Sequence, residues 1–228
     1  MLIKDAKAIT GDIGFTSKTG FAFGLQARTA CKIGSKLCKK EGSTCFGCYA
    51  RGGNYAYPSV KTAHGRRLIG VMKLKSKTFR SQWVEAMTTL IKNTIKKKGL
   101  DKKTRFFRWH DSGDILGLDH FRSIVEVCLA TPNVKHWIPT KEIPTIKKYL
   151  KAGGVMPKNL CVRLSNYYVD KVDDFNLDLP KSVVYSKTAD TGKAKICQAI
   201  LQHKSCLEVG CRKCWNKNVD LVGYQLHR

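Results

Sequence analysis

The chain has 228 residues and a mass of 25.6 kDa, and its 42 Lys and Arg residues outnumber 17 Asp and Glu, which gives a formal net charge of +25. This excess predicts a polyanionic partner, and because it is spread along the chain it favours nucleic acid over a membrane surface; a merely basic soluble protein is the alternative. No apolar run is long enough to span a bilayer and the first residues contain no signal-peptide core, which argues against a membrane-spanning or secreted protein and predicts a cytoplasmic one.

The length predicts one compact domain with three parts. Residues 1–58 form a lobe rich in Gly and Cys, residues 59–192 a basic α/β core, and residues 193–228 a lobe with four cysteines. Ten cysteines in an intracellular chain are more typical of metal binding than of disulfides, and eight of them fall in the two lobes. Cys128 and Cys161 stand in apolar segments, where a core position is expected.

The N-terminal lobe contains a candidate metal site. Its four cysteines are separated by six, six and two residues, and the final C-x2-C pair is a natural two-ligand turn. Zinc is the expected metal and an iron–sulfur cluster the alternative, although the spacing differs from the C-x3-C-x2-C motif of radical enzymes that use S-adenosylmethionine. The members of this cluster are Cys31, Cys38, Cys45 and Cys48.

The segment that follows is strongly basic and amphipathic. Residues 61–105 carry 14 Lys or Arg against two acids. Apolar residues within 79–98 recur with the helical period, and Gly99 supplies a stop. One face of this helix is therefore expected to pack against the core. The other face is expected to bind the phosphates of a nucleic-acid backbone, together with Lys61, Arg66 and Arg67. A solvated lysine face is the alternative interpretation.

The stretch TRFFRWHDSGDI, residues 104–115, predicts a buried strand that delivers an acidic loop. Aromatic and apolar residues precede His110, Asp111 and Asp114, and Gly113 lets the chain turn sharply. An ordinary strand-to-helix turn with Asp114 near a helix cap is the alternative.

Strands and helices alternate in the rest of the core. Residues 118–130 and 143–151 are predicted to be helices, and residues 134–140, 160–165 and 183–186 strands. Strand starts that recur every roughly 20 to 30 residues predict an α/β fold with parallel strands, in a barrel-like arrangement or a partial (β/α) barrel, with two cysteine-rich metal-binding lobes.

A polar cluster follows each predicted strand. In parallel α/β folds the carboxyl ends of the strands share the face that carries the active site, so these clusters favour a catalytic face. Loops are polar in general, which accounts for part of the pattern. The residues singled out at the strand ends are His110, Asp111, Asp114, Lys141, Ser165 and Asp190.

The C-terminal lobe contains the strongest sequence evidence for a metal-binding site. Four thiols fall within 18 residues and again end in C-x2-C, and zinc is expected there before a four-iron cluster. The members are Cys197, Cys206, Cys211 and Cys214.

The motifs FAFGLQARTAC, CFGCYARGGNY, RWHDSGD, WIPTKE and CRKCWN resemble a phage family known as gene product 88-like, and they follow one another along nearly the whole chain. More remotely, a barrel-like α/β chain with aspartates and a late cysteine cluster is similar to the tRNA-guanine transglycosylase superfamily, some phage relatives of which exchange guanine in DNA for a 7-deazaguanine. Those enzymes are longer and bind zinc through three cysteines and a histidine. A phage origin would place the protein in the host cytoplasm.

This resemblance implies an Asp nucleophile, a zinc staple and a polyanionic substrate, DNA rather than tRNA, with a free modified base as co-substrate. Asp114 is the expected nucleophile, and Asp111 or Asp190 the acid/base. A base in a duplex must be flipped out, and Tyr49 or Trp109 would then stack on it, although Trp109 is the better candidate for the core. The groups expected to position base or phosphate are His110, Lys141, Arg163 and Ser165.

Three other functions are compatible with the sequence. A non-catalytic DNA-binding protein stapled by zinc explains the charge and the cysteines. An iron–sulfur enzyme acting on nucleic acid is the second. A metal-dependent nuclease is the third, because aspartates beside a basic groove can hold magnesium.

Overall fold

The computed structural model describes residues 1–101, 104–186 and 192–226. Asp190, predicted as an acid/base, therefore lies outside the described residues. Helices occupy Ile3–Thr10 (α1), Lys32–Leu37 (α2), Pro58–Met72 (α3), Lys77–Lys97 (α4), Leu118–Ala130 (α5), Ile143–Lys151 (α6) and Gln198–Leu201 (α7). Strands occupy Gly14–Thr16 (β1), Gly20–Phe23 (β2), Phe106–Trp109 (β3), Lys135–Thr140 (β4), Leu160–Ser165 (β5), Lys181–Tyr185 (β6), Lys195–Ile196 (β7) and Leu221–Gln225 (β8).

The strands form one eight-stranded sheet in the order β1-β2-β3-β4-β5-β6-β8-β7. Every neighbouring pair is parallel except the hairpin of β1 and β2. The predicted α/β class with parallel strands is therefore confirmed. The sheet is not closed across the described residues, so the predicted barrel-like or partial (β/α) barrel arrangement is not confirmed. The division into three parts stays a prediction.

One face of the sheet carries the main hydrophobic core. Side chains alternate along β3, so Phe107 and Trp109 point to the same face, and there Trp109 contacts Trp83 of α4 with ring centroids 6.3 Å apart. Helices α4, α5 and α6 cover this face with their apolar stripes. The predicted basic amphipathic helix is thus present as α4, beginning after an N-cap Ser76 whose side chain accepts from Phe79 N at 3.3 Å.

The C-terminal lobe packs on a second, smaller apolar cluster. Trp215 contacts Trp137 of β4 with ring centroids 4.8 Å apart, and its indole N–H donates to Phe107 O at 3.1 Å. Cys161 and Cys214 are buried in the same cluster. This segment therefore covers the sheet beside β4 and β5.

No helix in the described part of the chain is long and apolar enough to cross a bilayer. Helices α5 and α6 and strand β5 lie where the sequence predicts them. The sequence does not predict helices α1 and α3 or the β1–β2 hairpin. Their apolar residues do not clearly follow the helical period or the alternation typical of strands.

Candidate functional site

The loop after β3, residues 110–114, is held rigidly against the chain that follows β2. His110 N donates to Phe23 O at 2.8 Å, Leu25 N donates to Ser112 O at 2.8 Å, and Asp114 N donates to Ala30 O at 2.9 Å. Gly113 has φ +78°, and a Cβ there would lie 2.6 Å from Leu25 Cβ, so only glycine fits the turn. The loop thus places its two aspartates in fixed and different surroundings.

Asp114 is buried, and both of its carboxylate oxygens are engaged. Oδ1 accepts from Ile115 N at 2.8 Å and from Thr140 Oγ1 at 2.6 Å, while Oδ2 accepts from Lys141 N at 2.8 Å. Burial raises the pKa of this carboxyl, and these three hydrogen bonds oppose the shift. Asp114 therefore joins the end of β3 to the end of β4, which is a structural role.

Asp111 occupies a different environment, under two tyrosines of the N-terminal lobe. Its side chain is 5% exposed, and Oδ2 accepts from the Tyr55 hydroxyl at 3.1 Å. The Tyr49 hydroxyl donates to Asp111 O at 2.7 Å, although Tyr49 as a residue is 56% exposed. Burial raises the pKa of Tyr55, and the neighbouring negative charge of Asp111 adds to the shift, so Tyr55 remains a neutral donor. The other carboxylate oxygen of Asp111, Oδ1, accepts no hydrogen bond from the described residues and faces Gly24.

Helix α3 adds two cationic or titratable groups beside Asp111. Arg67 is buried and its guanidinium donates to Asp12 O at 2.8 Å and to Gly24 O at 3.3 Å. Burial lowers the pKa of His64, and the charge of Asp111 opposes that shift. His64 and Arg67 are three residues apart, so they project from the same face of α3. Asp111 is thus surrounded by two tyrosines, an imidazole and a guanidinium.

Gly24 provides the space that Asp111 occupies. A Cβ at this position would overlap Asp111 Oδ1 and would lie 3.0 Å from both Asp111 Cγ and His64 Nε2. We therefore expect Gly24→Ala to displace the Asp111 carboxylate and to lower the free energy of unfolding by about 1–3 kcal/mol, because the added methyl group overfills the space beside the carboxylate. Gly65→Ala is the matched control, since nothing lies within 4 Å of its added Cβ in α3. Urea unfolding of both variants checks this, and a Gly24→Ala protein as stable as the wild type would contradict it.

Three of the four N-terminal cysteines converge near the same edge of the sheet. Cys31 Sγ and Cys45 Sγ lie 3.8 and 3.6 Å from the position that a Cβ on Gly34 would take. Burial raises the pKa of the Cys31 thiol to about 12, and the charges of Asp114, Cys45 and Cys48 add to the shift. Cys38 differs from them, because its thiol donates to Ser35 O at 3.1 Å.

The four C-terminal cysteines also lie within electrostatic reach of one another. Cys197 and Cys211 both affect the pKa of Cys206, and Cys197 and Cys206 both affect that of Cys214. Burial raises the pKa of Cys214 to about 12, while a contact of 3.0 Å with the Tyr224 hydroxyl opposes the shift. Within residues 1–101, 104–186 and 192–226, no group of three or more His, Cys, Asp or Glu side chains is arranged to hold a metal ion.

Several residues predicted for substrate binding have other surroundings. Arg163 is fully buried and donates to four main-chain carbonyls of β6 and the C-terminal lobe, those of Lys181, Lys213, Asn216 and Val219. Trp109 is also fully buried, and its indole N–H donates to His136 Nδ1 at 3.2 Å. These contacts give both side chains a place in the packing of the sheet.

The other predicted residues are distributed as follows. His110 has φ +58°, and burial holds its pKa well below the usual value, so its ring is neutral and lies against His120 in the core. Ser165 ends β5 beside the Ser182 hydroxyl at 3.4 Å. Lys141 follows β4 on the same edge as Asp114. Lys61 and Arg66 are exposed on α3.

Tyr55, His64, Arg67 and Gly24 form the surroundings of Asp111, although the sequence indicates no such grouping. They reach Asp111 from β2, α3 and the loop between α2 and α3, and only the order of strands brings these segments together. In the sequence, the one feature that points to these residues is that aromatic and basic side chains follow the C-x2-C pair of Cys45 and Cys48.

Comparison with known proteins gives one match. The family model described as Gene product 88 matches residues 1–219, which is nearly the whole chain. No curated protein and no solved structure matches the chain.

Proposed function

The chain belongs to the gene product 88 family of bacteriophage proteins. We propose that it modifies nucleic acid by exchanging a guanine in DNA for a 7-deazaguanine, the reaction that the remote resemblance to the transglycosylase superfamily implies, through a covalent bond between Asp111 and the sugar. The observation that carries the proposal is the Asp111 carboxylate, which lies at the carboxyl edge of parallel strands and of which one oxygen accepts no hydrogen bond within the described part of the chain. A tRNA substrate is the alternative polyanion.

Asp111 replaces Asp114 as the proposed nucleophile. A nucleophile needs a lone pair directed at the reacting carbon, and the three donors around Asp114 occupy its oxygens. Asp111 accepts one side-chain hydrogen bond, from Tyr55, and the Arg67 guanidinium and the His64 imidazole lie beside it. Asp114 instead fixes the loop that presents Asp111.

The proposed reaction consists of two displacements at the anomeric carbon. An Asp111 oxygen bonds to C1′ as the C1′–N9 bond breaks, and the electron pair leaves on guanine, which takes a proton from the site. The incoming deazaguanine then loses a proton, bonds to C1′ and releases the carboxylate. His64 is the group placed to transfer these protons, because its Nε2 and the Asp111 carboxyl lie on either side of the same space beside Gly24.

Two features support a nucleic-acid substrate. Lys61 and Arg66 are exposed on α3, which is also the helix that carries His64. Helix α4 exposes further lysines. Phosphate contacts from such residues give affinity without sequence preference. Tyr49 is more than half exposed while its hydroxyl contacts Asp111, so its ring is available to a flipped base next to the carboxylate.

We propose zinc as the metal of the C-terminal cluster, held by Cys197, Cys206, Cys211 and Cys214. The chemistry of the donor set suits structural zinc, for which four thiolates are a preferred ligand set. Zinc binding would have to draw these thiols closer together, since among the described residues they are not arranged around a common point. Bound zinc would staple the C-terminal lobe to the sheet. The N-terminal cysteines, Cys31, Cys45 and Cys48 with Cys38 nearby, are a second candidate for zinc.

The convergence of Cys31, Cys45 and Cys48 beside Asp114 also favours a second candidate function, an iron–sulfur enzyme acting on nucleic acid. Metal content per chain and an optical spectrum of anaerobically purified protein separate the two. Colourless protein with stoichiometric zinc would exclude the iron–sulfur enzyme, whereas a brown protein that bleaches on reduction would support it.

The proposed reaction is tested by incubating the protein with DNA, and separately with tRNA, and labelled guanine or a 7-deazaguanine. Digestion to nucleosides should show label in the DNA. Absence of label from both nucleic acids, with binding intact, would contradict the proposal. Magnesium-dependent nicking of the DNA would instead support a nuclease.

A further inference from the structure

Arg108 in the middle of β3 is a cation in the sheet that the proposed reaction does not use. It points to the face opposite Trp109, and its guanidinium lies over the indole of Trp137 at 4.7 Å from the ring centroid. This stacking fixes the plane of the guanidinium, so the N–H groups at its edge have a defined direction.

The hydrogen-bonding capacity of this guanidinium is largely unused. Among the described residues, Nε is buried without a hydrogen-bond partner, and the bond that Nη2 makes to the Tyr49 hydroxyl is long, at 3.4 Å. No carboxylate there forms an ion pair with Arg108, although the charge of Asp111 acts on the guanidinium from a greater distance. A guanidinium with no anion in direct contact can still form charge-assisted hydrogen bonds with one.

The location of Arg108 connects this charge to the Asp111 site. The Tyr49 hydroxyl donates to Asp111 O at 2.7 Å and accepts from Arg108 Nη2, so one oxygen atom contacts both residues. The bond between Arg108 Nη2 and Tyr49 lies at the solvent-exposed end of the side chain. A ligand at Asp111 that carries a phosphate next to its sugar could therefore reach the exposed Nη2 end of the guanidinium.

We propose that Arg108 is the phosphate anchor of the site, and that it binds a phosphate of the nucleotide whose sugar lies at Asp111. Arginine presents two parallel N–H groups that match two phosphate oxygens. The ligand class is a nucleotide with a phosphate ester on the deoxyribose, free or within a DNA strand. This inference rests on the proposed function for the identity of the ligand.

Calorimetric titration with deoxyguanosine and with its 5′- and 3′-monophosphates tests the anchor without any chemistry. Wild-type protein should bind one monophosphate about tenfold or more tightly than the nucleoside, as expected for a hydrogen-bonded charge pair. Arg108→Gln should bind the monophosphate and the nucleoside equally, with nucleoside affinity unchanged. Arg108→Lys keeps the charge without the paired N–H groups and should retain part of the preference.

Arg122→Gln is the matched control, because Arg122 lies on α5 and has only a long contact of 3.9 Å with Asp119. It should keep the wild-type preference. If Arg108→Gln does not fold, the fall in preference in Arg108→Lys decides the question. The anchor is disproved if wild type shows no preference or binds no ligand, or if the preference survives in the Arg108 variants. A preference that depends on Arg108 in a protein without base exchange would disprove the reaction and leave the anchor intact.

Discussion

Replacing Asp111 with Asn is expected to reduce base exchange by about 1,000-fold or more, because the amide is not a nucleophile for the anomeric carbon. Stability should change little, since the Asn oxygen can still accept the Tyr55 hydroxyl that lies 3.1 Å from Oδ2. Exchange rates measured by nucleoside digestion, together with urea unfolding of the same preparation, check both parts of this prediction.

Asp114→Asn is the matched comparison, and its expected effects are of the opposite kind. The new amide N–H2 group would face at least one of the three donors that the carboxylate now accepts, and a buried donor without an acceptor costs about 1–3 kcal/mol. Unfolding should therefore occur at lower urea concentration, and the folded fraction should retain most of its exchange activity. If a folded Asp114→Asn protein has no exchange activity while the Asp111→Asn protein is active, the nucleophile is Asp114 and not Asp111.

Replacing Arg163 with Met should lower the free energy of unfolding by about 3–5 kcal/mol, because several buried carbonyls lose a charged donor at once. The bonds run from the guanidinium to Lys181 O at 2.9 Å, to Val219 O at 2.8 Å, and to Asn216 O at 3.0 Å. The side chain thus connects β5 with β6 and with the segment that carries Cys214. Urea unfolding measures the loss.

The same substitution should expose the C-terminal thiols. Without the guanidinium, the segment around Trp215 loses its attachment to β5, and Cys214 should react faster with a thiol reagent. Arg122→Met, on the outer face of α5, is the control and should change stability by less than about 1 kcal/mol. If Arg163→Met unfolds at the same urea concentration as the wild-type protein, the structural role of Arg163 is contradicted. A role of Arg163 in ligand binding would then be favoured.

The parts of the fold that the sequence predicts are those with local signals. Residues 118–130 and 143–151 show clear amphipathic periods, and both helices form there. Helix α3 contains two glycines and several polar residues that become buried, such as His64 and Arg67, so its period does not identify a packing face. The open sheet depends on which strands pair at long range, and strand spacing does not determine this.

In the site, too, the features that the sequence predicts are those with a local signal. RWHDSGD identifies the acidic loop because strand, turn and carboxylates follow one another in the chain. The different roles of Asp111 and Asp114 depend on partners from β2, α3 and β4, which no local pattern indicates. Arg108 looks like an ordinary strand residue in the sequence, and only its stacking on Trp137 and its contact with Tyr49 distinguish it.

The covalent intermediate provides the most direct test of the central claim. DNA incubated with the protein in the absence of an acceptor base, then denatured and digested, should leave a deoxyribose fragment attached to one peptide. The account predicts that mass spectrometry locates this fragment on Asp111. A fragment on Asp114 or on any other residue, or base exchange without a covalent protein–DNA species, would contradict it.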